Sequence, residues 1–215
     1  LHTEGFNPIP DGFVNIPLDE NILKKTISDK TAGILIEPVQ GEGGINPVSN
    51  EFLVFIRKLC DENKILMILD QVQCGMGRTG KLFSHEWSGI EPDIVTLAKG
   101  LGAGFPIGAV LASEEASKGM QQGSHGSTFG GNPVGCSIAL KVIELIEKEE
   151  ILNNVTRLSG ILICELEKLV EKHHNKISGV RGKGLIIGVE CIEKNSVITD
   201  LAFQNGLLLV NAANN

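Results

Sequence analysis

The sequence predicts an α/β fold built on a mostly parallel sheet with helices on both faces. Several strand-like segments are apolar at nearly every position, which is typical of strands that are covered on both faces. They are separated by segments of helical periodicity, the arrangement of an α/β protein. Two of the strands end in opposite charges, Asp70 and Lys99. Because such sheets bind their ligands outside the carboxyl ends of the strands, we expect both charges to face one crevice.

The first three elements are a strand, a helix and a second strand. Residues 32–40 (AGILIEPVQ) form an apolar strand that reaches a proline. Residues 50–63 form a helix, because their apolar side chains recur at helical spacing and Ser49 or Asn50 can cap the first turn. Residues 64–70 (KILMILD) form a nearly continuous apolar strand that ends in an acid.

Two strands and two helices follow. DIVTLA, at residues 93–98, is the strand that leads into Lys99, and IGAVLAS, at residues 107–113, is the next. Helical periodicity extends over residues 133–148 and again over 151–172.

The last elements are a strand at 184–190, a short helix at 196–205 and a strand at 206–210 (GLLLV). A shift in composition near residues 149–151 is the best candidate for a domain boundary. Both ends are abrupt, so we expect the chain to be a fragment of a longer protein.

The composition is that of an ordinary globular protein, with 215 residues, 42% hydrophobic and 21% charged. A net charge of −7 without a Lys/Arg cluster argues against binding to nucleic acid or an anionic membrane. No apolar run approaches the roughly 20 residues that span a bilayer. The five scattered cysteines indicate free thiols in a reducing compartment.

GMGRTGKL, at residues 75–82, resembles a phosphate-binding P-loop only in part. The motif requires Ser or Thr after its lysine to hold Mg²⁺, and Leu82 stands there instead. The glycine loop also begins five residues beyond the end of the strand. We therefore disfavour a nucleoside triphosphatase.

Lys99 has two interpretations. A lysine at the end of a strand commonly reaches solvent or forms a structural ion pair. Four glycines in the next nine positions favour a different role, since glycine lets the backbone approach a flat or bulky group closely. A desolvated lysine is a nucleophilic amine, and an amine beside the carboxylate of Asp70 suits pyridoxal phosphate. Ser127 and Thr128, before the glycines of SHGSTFGGNP, could bind a phosphate; a plain loop is an equal alternative.

Four motifs in this order resemble class III aminotransferases of the ornithine and acetylornithine type, and most closely the acetylornithine type. They are ILIEPVQGEGGINP (34–47), ILDQVQCGMGRTGKLFSHEWSGIEPDIVTLAKGLGAGFPIGA (68–109), HGSTFGGNP (125–133) and VRGKGLIIG (180–188). The resemblance implies the type I fold of pyridoxal-phosphate-dependent transferases. It also implies that residues 1–149 are part of a large cofactor-binding domain and that residues 150–215 are an incomplete, small C-terminal α+β domain.

The resemblance also implies roles for individual residues at these positions. Lys99 binds pyridoxal 5′-phosphate covalently, and Asp70 pairs with its pyridine nitrogen. Gln73 donates to the phenolic oxygen of the ring, and Val72 packs against the ring face. Glu42 resembles a gating glutamate that helps to distinguish the two amino donors.

Two further expectations concern the partner subunit and a departure from the family. Thr128, with Ser127, would bind the phosphate of the neighbouring subunit's cofactor, so that a homodimer shares its active sites. Gln71 stands where many members of the family have Glu. Because side chains alternate along a strand, we expect Gln71 to point away from the ring, with little consequence.

The implied function is ping-pong transamination between N-acetylornithine and 2-oxoglutarate, in cytoplasmic arginine biosynthesis. Ornithine, succinylornithine and 4-aminobutyrate aminotransferases are alternatives within the same fold. A non-catalytic remnant of the fold is an alternative from a different class. No metal is expected at the site.

Overall fold

The computed structural model describes residues 5–148 and 150–212. The chain divides into two compact units, residues 1–31 and 32–215. This division does not test the boundary expected near residue 149, which stays a prediction.

The first unit contains one helix, α1 (Glu20–Thr26). Asp19 caps it, because its Oδ1 accepts a hydrogen bond of 2.9 Å from the backbone N–H of Ile22. This bond satisfies one of the free N–H groups of the first turn.

The second unit contains all of the strands and the remaining helices. Its strands are β1 (Gly33–Ile36), β2 (Val39–Gln40), β3 (Asn46–Pro47), β4 (Leu66–Asp70), β5 (Ile94–Leu97), β6 (Ala109–Ala112), β7 (Ile177–Lys183) and β8 (Ile186–Cys191). Its helices are α2 (Asn50–Asn63), α3 (Glu114–Ser117), α4 (Pro133–Lys148), α5 (Ile151–Lys172) and α6 (Asn195–Gln204).

The central sheet has the strand order β1-β4-β5-β6. The pairs β1–β4 and β4–β5 are parallel, and β5–β6 is antiparallel. The predicted mostly parallel α/β sheet is therefore confirmed. β6 is antiparallel because the chain returns from β5 after only a 3₁₀ helix (Lys99–Gly102) and a turn, whereas a parallel return needs a longer crossover.

Burial along the sheet alternates rather than covering both faces equally. Met67 and Leu69 of β4 are fully buried, and their neighbours on the strand are half-buried. At the two edges of the sheet, Leu35 is 62% exposed and Val110 is 69% exposed. The apolar runs therefore predicted the strands correctly and overstated the burial of the edge strands, which have a neighbour on one side only.

Helix α2 packs against β1 and β4. Ser49 is its N-cap, with Oγ accepting from the N–H of Phe52 at 3.1 Å. Its buried side chains recur at helical spacing: Leu53, Ile56, Leu59 and Cys60. The helix ends at Asn63, and the left-handed backbone of its C-cap Lys64 (φ 55°) turns the chain toward β4.

Asp93 connects α2 to the sheet. Its Oδ2 accepts hydrogen bonds of 2.7 Å from Arg57 Nη1 and of 2.7 Å from the N–H of Met67. The acid therefore satisfies a fully buried strand N–H and a largely buried guanidinium at the same time.

Replacing Asp93 with alanine should lower the free energy of unfolding by about 2–4 kcal/mol, because it leaves the Met67 N–H and the Arg57 guanidinium without this partner. Asp61→Ala is the matched control. The side chain of Asp61, the other carboxylate on Arg57, is 65% exposed, so its loss should cost less than about 1 kcal/mol. Urea unfolding of both variants measures the difference. Equal losses would show that the strand N–H is not what Asp93 stabilises.

The β7–β8 hairpin forms a separate two-stranded sheet, and β2–β3 form another. The strand predicted at residues 206–210 is wrong. Residues 207–210 have no regular structure, and Leu208 and Val210 are 80% and 89% exposed. An apolar run has the propensity for a strand but becomes one only beside a strand with free backbone groups, and none pairs with it in the described part of the chain.

No helix among residues 5–148 and 150–212 has both the length and the apolar character needed to cross a membrane.

Candidate active site

The candidate site lies at the carboxyl ends of β4 and β5. The two strands are adjacent and parallel, with Asp70 in register with Thr96. Asp70 is the last residue of β4, and Lys99 is the first residue of the 3₁₀ helix after β5. The two charged residues therefore lie at the same edge of the sheet, as predicted. Asp70 is not among the residues that line the cavity beside Lys99, so the expectation that both charges face one crevice stays a prediction.

The core anchors the segment that carries Lys99. Leu101, two residues further on, is 4% exposed and belongs to a cluster with Val95, Leu97 and Ala139 of α4. Lys99 itself has a left-handed backbone (φ 44°). A fixed turn of this kind directs a side chain from the end of a strand into a crevice.

The glycines after Lys99 differ in their surroundings. A Cβ on Gly102 would lie 2.9 Å from the side chain of Ile107, so glycine there permits the close packing of this turn, whereas a Cβ on Gly104 would meet open space. Gly100 lines the cavity that Lys99 lines. The expectation that these glycines let the backbone approach a bound group stays a prediction.

A cavity of about 300 Å³ opens beside Lys99. It is lined by Gln73, Gly75, Met76, Arg78, Lys99, Gly100, Leu185 and Ile186. Lys99 is exposed, so the described residues do not supply the desolvation expected for its amine. The cavity places this amine and the amide of Gln73 on one surface.

The residues after Asp70 form a turn. Asp70 Oδ1 accepts a hydrogen bond of 2.9 Å from the N–H of Val72. β4 ends at Asp70. Val72 and Gln73 therefore lie in this turn, whereas the expected alternation of side chains required them to continue the strand. Both side chains are half-buried in this turn.

Gln73 contacts Glu42 directly. Its Nε2 donates a hydrogen bond of 2.9 Å to Glu42 Oε1. The loop of Glu42 is fixed on both sides, since Glu37 Oε2 accepts from the N–H of Gly41 and Arg181 Nε donates to the carbonyl of Gly44. Two residues predicted separately, Gln73 and Glu42, thus form one hydrogen-bonded pair.

Ser127 and Thr128 are not among the residues that line this cavity. Both lie in an exposed loop, and the carbonyl of Ser127 accepts from the N–H of Gly130. Helix α4 begins after Asn132, whose Oδ1 accepts from the N–H of Gly135 at 2.7 Å. Their predicted role, on the cofactor of a neighbouring subunit, stays a prediction.

The β7–β8 hairpin supplies a wall of the cavity that the site prediction from the sequence did not include. The N–H of Leu185 donates to the carbonyl of Arg78 at 2.9 Å. At Gly184 (φ 62°) a Cβ would lie 2.4 Å from the Cα of Thr79. The glycines of VRGKGL were the available signal, since they mark a close approach of two backbones.

The buried thiols of Cys60 and Cys74 are poor nucleophiles, and the described residues offer no cluster of metal ligands. Burial raises the pKa of Cys60 to about 11 and also raises the pKa of Cys74, so both thiols are protonated near neutral pH. Among the described residues no group of three or more His, Cys, Asp or Glu side chains could hold a metal ion. In the partial P-loop, Lys81 Nζ lies over the ring of Trp87, 5.3 Å from its centroid.

Comparison with known proteins supports the resemblance over nearly the whole chain. The family model "Aminotransferase class-III" matches residues 16–215. The acetylornithine aminotransferase of Brucella melitensis is 45% identical over 215 residues, which are 100% of this chain and 53% of that protein. The enzyme of the same name from Methanocaldococcus jannaschii is 48% identical over 209 residues, 97% of this chain and 52% of that protein.

Solved structures with the same fold include two types of aminotransferase. The N-acetylornithine aminotransferase of Stenotrophomonas maltophilia has a TM-score of 0.82 and 37% identity, covering 91% of this chain and 52% of that one. An ornithine aminotransferase of Toxoplasma gondii has a TM-score of 0.91 and 32% identity, covering 97% and 50%.

This chain spans about half the length of the curated relatives that it matches. The family model nevertheless matches well over half of the chain, and it includes both strand ends, the Gln73–Glu42 pair and the hairpin wall. The chain belongs to the class III aminotransferase family.

Proposed function

We propose that the protein transfers an amino group between N-acetylornithine and 2-oxoglutarate with pyridoxal 5′-phosphate as cofactor, in cytoplasmic arginine biosynthesis. Relatives that are 45% and 48% identical carry the name acetylornithine aminotransferase, which supports this donor. The observation that carries the proposal is the position of Lys99. Its side chain lines a cavity at the sheet edge where Asp70 ends the neighbouring strand.

The groups around this cavity suit pyridoxal phosphate. Lys99 offers an amine that can hold the aldehyde carbon covalently, and the amide of Gln73 can donate to the ring's phenolic oxygen. Within the described residues the carboxylate of Asp70 accepts one hydrogen bond, at Oδ1, so Oδ2 is available to hold a proton on the pyridine nitrogen. When bound, the cofactor would supply an electron sink for the charge left on the carbon that bears the transferred amino group.

The remaining roles belong to side chains of this chain. The Nζ of Lys99, when it is a free amine, would take the proton from the carbon that bears the donor's reacting amino group and pass it on in the 1,3-proton shift; in N-acetylornithine this is the terminal carbon, because the α-amine is acetylated. Val72 packs against the ring face. Glu42, which accepts from Gln73, would influence which amino donor enters.

The proposed assembly is a homodimer with shared active sites. Ser127 and Thr128 lie in an exposed loop and do not line the cavity of their own chain. Hydroxyl donors in this position can reach the phosphate of a cofactor bound by a second copy.

Ornithine is the second candidate donor, because ornithine aminotransferases are among the solved structures that match the fold. Initial rates with N-acetylornithine, succinylornithine, ornithine and 4-aminobutyrate, each with 2-oxoglutarate as acceptor, separate the four alternatives. A higher kcat/KM for any of the other donors would replace N-acetylornithine in this proposal.

Incubation with pyridoxal phosphate, reduction with borohydride and peptide mapping test the site itself. We expect a shifted visible absorption band and a covalent label confined to Lys99, because its amine is the one that lines the cavity. Label scattered over other lysines, or no band, would contradict the proposed site and favour a non-catalytic remnant of the fold.

A further inference from the structure

Gln71 is fully buried between two residues of the proposed site. It follows Asp70, precedes Val72 and has 0% exposed surface. Its side chain turns toward Ser84 and His85, whereas Gln73 turns toward Glu42. The buried amide of Gln71 therefore connects the segment of Asp70, Val72 and Gln73 to residues 84–85.

Both ends of that amide are hydrogen-bonded. Its Oε1 accepts from the backbone N–H of Ser84 at 2.6 Å. Its Nε2 lies 2.6 Å from His85 Nδ1. The backbone N–H can only donate, so the oxygen of the amide must face Ser84 and the NH₂ group must face His85.

This orientation determines the tautomer of His85. An NH₂ group only donates, so His85 Nδ1 must be the acceptor and carries no proton. The ring proton then resides on Nε2, and the imidazole is neutral. A protonated imidazole would place an N–H donor against the NH₂ group of Gln71.

We propose that His85, as the neutral Nε2–H tautomer, is a positioning residue that holds Gln71 and through it the segment of Asp70, Val72 and Gln73. The proposal rests on the proposed function for the chemistry of that segment. The hydrogen-bond geometry around Gln71 stands without it.

The surroundings of His85 shift its pKa in opposite directions. Burial lowers its pKa from the ordinary value of 6.5, while Glu86 and Glu91 favour its protonated form. Glu86 also accepts from the N–H of Phe83, whose ring stacks on the imidazole with centroids 5.4 Å apart. Because the native pKa is lowered, the neutral form contributes its full stability above pH 6.5 and loses it as the pH falls through the native pKa.

The first experiment is nitrogen NMR of the chain with ¹⁵N-labelled histidine. At pH 7 we expect the His85 signals of an unprotonated Nδ1 and a protonated Nε2. In Gln71→Glu, a carboxylate replaces the NH₂ donor, so Nδ1 gains a proton and the titration midpoint of His85 rises by about one pH unit or more. A protonated Nδ1 in the unchanged chain, or an unmoved midpoint in Gln71→Glu, would overturn the proposal.

A second variant tests whether His85 acts on the site. His85→Leu removes the acceptor for Gln71, whereas His85→Asn retains an acceptor oxygen; His174→Asn, at an exposed histidine, is the control. We expect the amide signals of Val72 and Gln73 to shift in His85→Leu, to be largely restored in His85→Asn and to be unchanged in the control. Unshifted signals in His85→Leu would refute the positioning role.

Labelling by pyridoxal phosphate separates this inference from the proposed function. In the unchanged chain, labelling of Lys99 should fall as His85 becomes protonated, and in His85→Asn this step of the pH profile should be absent. An identical step in both would refute the positioning role. If Lys99 takes no label at any pH, the proposed function fails, and the tautomer and the amide signals still decide the role of His85.

Discussion

Replacing Lys99 with alanine should abolish the borohydride-stable label from pyridoxal phosphate and lower transamination by at least about 10²-fold, because the variant loses both the covalent attachment and the proton-carrying amine. The side chain lines the cavity beside the end of β4, and no other lysine of the described residues lines that cavity. The label is measured by mass spectrometry of the digested protein, and the rate by 2-oxoglutarate-dependent turnover of N-acetylornithine.

Lys118→Ala is the matched control for this experiment. Lys118 has a side chain that is 65% exposed and pairs with Glu115, away from the cavity. Its loss should leave both the label and the rate unchanged. A labelled protein or normal turnover in Lys99→Ala would show that another amine binds the cofactor and carries the proton. The proposed function would then lose its central support.

Replacing Gly184 with alanine should lower the free energy of unfolding by about 2–5 kcal/mol, because two costs add. The residue has a left-handed backbone (φ 62°), which is unfavourable for residues that have a Cβ. The new Cβ would also lie 2.4 Å from the Cα of Thr79 and 2.5 Å from the carbonyl oxygen of Arg78. Both are backbone atoms, so the hairpin has to move away from the loop. Urea unfolding measures the loss.

Gly160→Ala should change the free energy of unfolding in the opposite direction in the same experiment. Gly160 is an exposed residue of α5, and a Cβ added there would meet open space, with no described atom within 4 Å. Alanine there should stabilise the protein by about 0.5–1 kcal/mol through better helix propensity. A stability of Gly184→Ala close to that of the unchanged chain would mean that the hairpin does not pack tightly on residues 78–79.

The consequence for the site follows from the cavity wall. Leu185 and Ile186, next to Gly184, line the same cavity as Lys99. A displaced hairpin should therefore weaken cofactor labelling as well as stability. This second readout links the packing of β7–β8 to the proposed chemistry.

Local patterns in the sequence were sufficient to predict several helices and strands. The apolar runs before Asp70 and Lys99 are strands, and α2, α4 and α5 have the predicted extents, since helical periodicity and capping are local properties. The family was also evident from motifs in order along the chain, and the family model matches residues 16–215.

The contacts between residues distant in the sequence could not be predicted from local pattern and are known from the fold. The bond between Gln73 and Glu42 joins residues 31 positions apart, and the bond between Gln71 and His85 joins residues 14 apart in a turn without regular periodicity. Residues 206–210 have the apolar pattern of a strand, yet no strand of the described residues pairs with them. Strand pairing, edge exposure and side-chain hydrogen bonds depend on the partner brought by the fold, and a local pattern contains no information about that partner.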